Sequence, residues 1–242
     1  MEKYAGQGRL RWQLAGGQLL LAILAVVLLC PASRAVAQES IALADGSSLD
    51  VYLLRPAQTT EQPSPLLILM GGGSGNRAIS RDTSMWLGSG FSQRGWMVAV
   101  PVSPNDRAFR GPANNALIPL LIASLQSRDY IASGKALLAG ISNGGLSALE
   151  IARRNPDAYL GVVAVPAVSS SVFDNRKLAG FPVYLRIGAD DELGWAQRFE
   201  ETVSVMEEAG VELDAALLDN APHMFRMDWT TLEPWLDQIV EQ

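Results

Sequence analysis

The chain has 242 residues, of which 48% are apolar and 18% charged, and a formal net charge of −6. That length suits one domain of ordinary size, and the apolar share argues against a disordered chain. The acidic balance argues against nucleic acid and anionic membrane surfaces as partners, because both call for a basic patch.

Residues 1–37 have the layout of a signal peptide. Arg9 and Arg11 give a basic start, Leu19 to Leu29 is an unbroken apolar run, and Ala35-Val36-Ala37 offers small residues for cleavage. A spanning helix needs about 20 apolar residues, so this run is short for a permanent anchor. An uncleaved N-terminal anchor is the alternative. Cys30 follows Leu29, where lipoprotein processing wants a small residue, and Arg9-Leu10-Arg11 is not a twin-arginine pair. Cleavage after Ala37 moves the formal charge from −6 to −9 and removes the sole cysteine. Residues 38–242 then have no disulfide, thiol chemistry or thiolate metal ligand. The expected location is periplasmic or secreted, with no stable membrane insertion after cleavage.

From Ser40 onward, segments alternate between strand-like and helix-like. That pattern predicts a mostly parallel sheet with helices on both faces. Ser40–Leu43 and Leu49–Leu54 read as strands joined at the Asp45-Gly46 turn. After a polar connection over Thr59–Pro65, Leu66–Met70 and Trp96–Val102 are continuous apolar runs, as expected of strands buried on both faces. Ser103–Pro112 is long enough for a small lid, and no insertion suits a large one. Ala113–Leu125 has helical spacing. Ala136–Ile141 is a third buried strand, followed by a helix over Gly144–Arg154 that Asn155-Pro156 stops. Leu160–Val165 and Val183–Ile187 are further strands. A helix over Glu192–Glu208 is capped at Gly210, Val211–Leu218 is the last strand, and Trp229–Val240 the last helix.

Gly140-Ile141-Ser142-Asn143-Gly144 fits the G-x-S-x-G pattern and falls where a buried strand becomes a helix. A serine on so sharp a turn is strained, and flanking glycines let the backbone fold without a Cβ clash. The competing interpretation is an ordinary glycine-rich turn. His223 is the only histidine and lies in a loop after the last strand, on the edge where open α/β sheets place ligands. Alone it would suit a structural role. After Ser142 in chain order it suits a general base. An acid to orient it belongs after the strand ending at Ile187, where Asp190, Asp191 and Glu192 follow each other. Those acids equally suit a solvated helix start. Asp191 is preferred and Asp190 comes second. An oxyanion needs two preorganised N–H donors. Asn143 is one candidate, and the loop Gly71-Gly72-Gly73-Ser74-Gly75 offers the other. That loop lacks the Gly-Lys-Ser/Thr ending of a phosphate cradle.

On these residues the chain resembles the α/β-hydrolase superfamily, nearest to small dienelactone-hydrolase-like and carboxylesterase-type serine esterases. The likeness covers most of Ser40 to the C-terminus in element order. It implies a mostly parallel sheet of about eight strands, a Ser142-Asp191-His223 triad and no cofactor. In such families the acid lies three residues past a glycine ending a core strand, and Gly188 selects Asp191 in this way. Many relatives carry histidine before the oxyanion glycines, where this chain has Met70, which leaves the second donor open between Gly72 and Gly73. Dienelactone hydrolases proper use a cysteine nucleophile, which residues 38–242 lack, so their substrate is not implied.

Trp86, Phe91, Trp96, Phe109, Trp195 and Phe225 are aromatics to inspect for an acyl pocket, although aromatics at such positions are usually core. Met224 and Phe225, beside the histidine, are the preferred lining. Arg107 and Arg110 are candidates for holding a carboxylate or phosphate of the substrate. The expected activity is cleavage of a small-molecule carboxylic ester through an acyl-enzyme. A peptidase or thioesterase of the same fold is the nearest alternative, and a non-catalytic binding protein the other. One histidine and a lost cysteine make a metal site a poor fit.

Overall fold

The computed structural model describes residues 37–58 and 61–241. The expected signal peptide therefore lies almost wholly outside the described residues, as does part of the Thr59–Pro65 connection. Among the described residues, no helix is long and apolar enough to cross a membrane.

Eight strands form one sheet in the order β1-β2-β4-β3-β5-β6-β7-β8. They are β1 Ala37–Ala42, β2 Ser48–Leu54, β3 Leu66–Met70, β4 Met97–Pro101, β5 Ala136–Gly140, β6 Tyr159–Ala164, β7 Pro182–Gly188 and β8 Glu212–Leu218. Only the β1–β2 and β2–β4 pairs are antiparallel; the remaining five pairs are parallel. The hairpin between β1 and β2 turns where Asp45-Gly46 places it. Gly46 takes a φ of 85°, and the Asp45 carboxylate accepts from both the N–H and the hydroxyl of Ser47.

Among the described residues, seven α-helices accompany the sheet: α1 Arg77–Thr83, α2 Ser89–Gln93, α3 Gly111–Gln126, α4 Asn143–Ala152, α5 Val172–Asn175, α6 Phe199–Glu208 and α7 Trp229–Val240. Alternation along the strands sends side chains to two separate cores. In β3, Leu66, Ile68 and Met70 join α3, α4 and α6 on one face, while Leu67 and Leu69 join Phe91 and α7 on the other. A strand buried on both faces must be apolar throughout, which is why β3, β4 and β5 read as continuous runs.

Three segments depart from the sequence reading. Arg77 to Gln93 is helical, with a π-helical turn over Ser84–Gly88 between α1 and α2, and the sequence reading assigned nothing there. The helix expected from Glu192 begins only at Phe199, after a single 3₁₀ turn over Ala196–Arg198. The earlier residues are diverted: Gly194 is left-handed at φ 79°, and Asp191 Oδ1 accepts the Leu193 N–H at 2.8 Å. The Ser103–Pro112 stretch is tied down. Ser103 N–H donates to Gly75 and Ala108 N–H to Ser74, both at 2.8 Å, and Asn114 donates to the Ala108 carbonyl.

The strand-to-helix turn at β5 is closed by contact between backbones. A Cβ on Gly140 would lie 2.1 Å from the Gly144 carbonyl carbon. Gly140→Ala is therefore expected to lower stability by about 3 kcal/mol, as overpacking against unyielding backbone does. Gly88→Ala, whose new methyl would meet Leu69 at 3.6 Å, should stay within about 1 kcal/mol of the parent. Urea unfolding of both variants checks the contrast.

Candidate active site

Ser142 stands between β5 and α4 at φ 54° and ψ −118°, a conformation rare for any residue with a Cβ. Three backbones hold it there. Its N–H donates to the Pro166 carbonyl at 3.0 Å, the Gly144 N–H donates to Ile141, and the Leu146 N–H donates to Ser142 itself. Gly144 is packed so closely on β3 that a Cβ would come within 2.1 Å of the Met70 carbonyl oxygen. The sharp turn exists because both flanking positions lack a side chain.

Asn143 is the first residue of α4, so its N–H has no acceptor inside the helix. Its side-chain amide donates to the Gly73 carbonyl at 2.9 Å, which ties the Ser142 turn to the glycine loop. In that loop, a Cβ on Gly72 would sit 3.2 Å from the Ile141 carbonyl and 3.5 Å from Ser142 Cβ. Gly73 is left-handed at φ 52°, and the Gly75 N–H closes the turn onto the Gly72 carbonyl. The structure thus brings Gly72, Gly73 and Asn143 around the Ser142 turn.

His223 is 5% exposed, and its Nδ1 lies 2.7 Å from Asp191 Oδ2. Asp191 is equally buried, whereas Asp190 is exposed. The other Asp191 oxygen accepts from the N–H of Leu193 and of Trp195, so the carboxylate is held from both sides. The histidine loop can approach because Gly188 ends β7. A Cβ there would lie 2.2 Å from the Ala221 carbonyl and 2.3 Å from that of Pro222. The Asp190 N–H donates to Ala221, and Glu192 accepts the His223 N–H at 3.0 Å. Trp195 meets the imidazole edge-to-face, with ring centres 5.0 Å apart. His223 Nε2 is buried and has no hydrogen-bond partner.

The expected pocket residues are dispersed. Phe91, Trp96 and Phe109 are core side chains, and Phe225 is 8% exposed within the α7-side core rather than along an open wall. Met224 and Trp86 are exposed, at 49% and 41%. Trp195 alone among the aromatics touches the imidazole. Arg107 is exposed, and Arg110 is paired with Glu150 at 2.8 Å. Sequence reasoning missed Glu192 as a tether of the histidine loop, although it stands beside the residue chosen as the acid. Among the described residues, no group of His, Cys, Asp and Glu could hold a metal ion.

The architecture has close parallels among solved structures. A putative dienelactone hydrolase from Klebsiella pneumoniae superposes with a TM-score of 0.61 at 17% identity, over 84% of this chain and 96% of that one. A lidless α/β serine hydrolase from Xanthomonas campestris gives 0.62 at 16% identity, over 85% and 93%. The chain has the α/β-hydrolase fold. A thermostable esterase gives 0.62 at 13% identity, over 85% of this chain and 62% of that one. By sequence, 100 residues are 31% identical to the succinate–CoA ligase (ADP-forming) β subunit of two Chloroflexus aurantiacus strains. That match spans 41% of this chain and a quarter of the ligase subunit. No known family profile matches the chain.

The hydrogen bond from the His223 N–H holds the Glu192 carboxyl below its ordinary value of 4.5. A depressed carboxyl pKa adds stability that is present above the ordinary value and lost as pH falls through the folded one. Glu192→Gln should therefore show a shallower loss of stability on acidification below pH 4.5 than the parent. Both should be compared by thermal unfolding at low salt, since Glu192 is exposed and screened.

Proposed function

We propose that the chain is a serine hydrolase that cleaves a small-molecule carboxylic ester through an acyl-enzyme. The observation that carries this is a buried imidazole with Nδ1 on a buried carboxylate and Nε2 unpartnered, on the same sheet edge as a strained serine. Such a histidine is held in one orientation with Nε2 left to take a proton, which is what a general base beside a nucleophile requires. The Ser142 hydroxyl makes no hydrogen bond to Nε2 in this structure; nucleophile–base contacts of this kind often tighten only when substrate is bound.

In the proposed reaction, Ser142 Oγ attacks the ester carbonyl carbon and His223 Nε2 takes the hydroxyl proton. The Nδ1–H stays on Asp191, whose negative charge offsets the imidazolium. The carbonyl oxygen becomes an oxyanion and accepts from the N–H of Asn143 and of Gly72 or Gly73. These donors are fixed before reaction, so no reorganisation is needed as charge develops. The carbon–oxygen bond to the alcohol breaks, and His223 returns its proton to the departing oxygen. A water then repeats the sequence on the acyl-enzyme, releasing the acid and restoring Ser142. Residues 1–37 are proposed to direct export, which places this chemistry outside the cytoplasm.

Ser142→Ala or His223→Ala should lower turnover of an activated ester by on the order of 10⁴ to 10⁶. Retention of a tenth of the activity by either would overturn the assignment. Asp191→Asn should lose far more than Asp190→Asn, because only Asp191 touches the imidazole. A fluorophosphonate probe should label Ser142 in folded protein and not after heat unfolding; a folded protein that never reacts would indicate a binding protein on this scaffold.

A further inference from the structure

A second feature of the catalytic edge has no part in the proposed triad. A cavity of about 670 Å³ runs along α4 and is bounded by loops that follow β4, β6 and β7. Its basic lining is Arg110, Arg153, Arg154, Lys177 and Arg198. Against these stand only Glu150 and Asp174, so the cavity carries a net +3 in a chain whose total is −6. Ser169, Ser170 and Ser171 add hydroxyls from the loop after β6.

The cavity's lining on α4 starts at Leu146, about one helical turn past Ser142. Leu146, Glu150 and Arg153 or Arg154 lie four, eight and eleven or twelve residues after Ser142, a spacing that keeps them on one face of the helix. From Ser142 to Arg153 the helix rises about 16 Å, and helical side chains lean back toward the N-terminal end. An elongated ligand lying along α4 could span from one to the other.

Arg153 is the residue that most lacks a partner. Its guanidinium donates to Asn175 Oδ1 at 2.6 Å and Ser169 Oγ at 3.3 Å, both neutral, and makes no ion pair. Its Nε is buried without an acceptor. Burial holds the guanidinium below its ordinary pKa, with the charges of Asp174 and Glu150 opposing the effect. Among the described residues Lys177 also has no ion pair, whereas Arg110 and Arg154 share Glu150 and Arg198 lies 3.7 Å from Glu201. A half-buried cation with its Nε enclosed and neutral groups as its hydrogen-bond partners is costly to keep, and an anion beside it would offset that cost.

We propose that this cavity binds the anionic end, a carboxylate or a phosphate, of an ester whose carbonyl reaches Ser142. The inference rests on the hydrolase reading, and it narrows the substrate to acidic esters of medium length. Arg153, Lys177 and Arg198 hold the anion, and the Leu146 side of α4 passes the apolar spacer.

The test pairs mono-p-nitrophenyl suberate with neutral p-nitrophenyl octanoate, which differ at the far end of the acyl chain. Wild-type protein, Lys177→Gln, Arg198→Gln and Arg153→Gln are assayed on both. Suberate and inorganic phosphate are titrated separately by calorimetry. The expected result is a kcat/KM about tenfold or more higher for the charged ester, lost in each folded variant, with octanoate hydrolysis unchanged. Suberate should bind wild-type protein and bind the variants more weakly. Phosphate binding that the variants lose, together with a preference for the charged ester, supports the site for either anion. If wild-type protein hydrolyses octanoate but shows no preference for the charged ester, the acidic-substrate proposal falls and the hydrolase reading stands. If suberate binds and loses affinity in the variants while neither ester is cleaved, the anion site stands and the hydrolase reading falls. Should Arg153→Gln fail to fold, the exposed Lys177 decides the matter, and an unaltered Lys177→Gln and Arg198→Gln pair overturns the proposal.

Discussion

Ser142 occupies backbone angles that cost a residue with a side chain about 1–3 kcal/mol, and the arrangement of this edge of the sheet follows from how that strain is held. The turn cannot relax, because three strands close on it. Gly144 rests on the end of β3 at Met70, Gly140 rests on Gly144, and Gly145 lies so near the Pro166 carbonyl that a Cβ would come within 2.6 Å. Each contact needs a glycine on one side. The same closeness brings the glycine loop against Ile141 and Ser142, so donors for an oxyanion and the serine that would create one are positioned by a single set of contacts. Substitution at any of these glycines would disturb stability and site geometry together.

A second convergence positions the histidine. β7 and β8 run parallel from Pro182 to Gly188, and at the end of that ladder Gly188 admits the Ala221-Pro222 backbone. Asp191 then meets His223 with one oxygen and caps the Leu193 and Trp195 N–H groups with the other. Both oxygens are therefore in use, which fixes the carboxylate without help from the ligand. The same capping explains why α6 starts late. The acids after Gly188 organise a loop around the imidazole before any helix forms.

Much of this was legible in the sequence because it depends on local chemistry. Strands buried on both faces must be apolar throughout, so β3, β4 and β5 announced themselves. The strained turn at Ser142 was readable from two glycines and a serine at a strand end, and of the two aspartates Asp191 is the one that touches His223. What escaped depends on partners far along the chain. The Arg77–Gln93 helical stretch buries Ser80, Thr83 and Ser84 beside a few apolar residues, so it shows no clear apolar stripe. Its start is marked only by Asn76, whose side chain caps the Ile79 N–H. The pairing of Arg110 was not readable, because Glu150 lies 40 residues away. The cavity joins residues from Arg110 to Arg198, and no window of sequence displays that grouping.

The charge distribution separates two influences on an acidic ligand. At a distance, such a ligand meets a protein of net −6, which slows its approach. Within the cavity it meets a net +3 at short range. Salt acts oppositely on the two: it weakens the long-range repulsion first, because the screening length at physiological ionic strength is only about 8 Å. An anion held by Arg153, whose Nε is buried, should therefore lose less affinity at moderate salt than one held by the exposed Lys177 alone. The contrast follows from burial: Arg153 is half-buried, and the hydrogen-bond partners of its guanidinium are neutral.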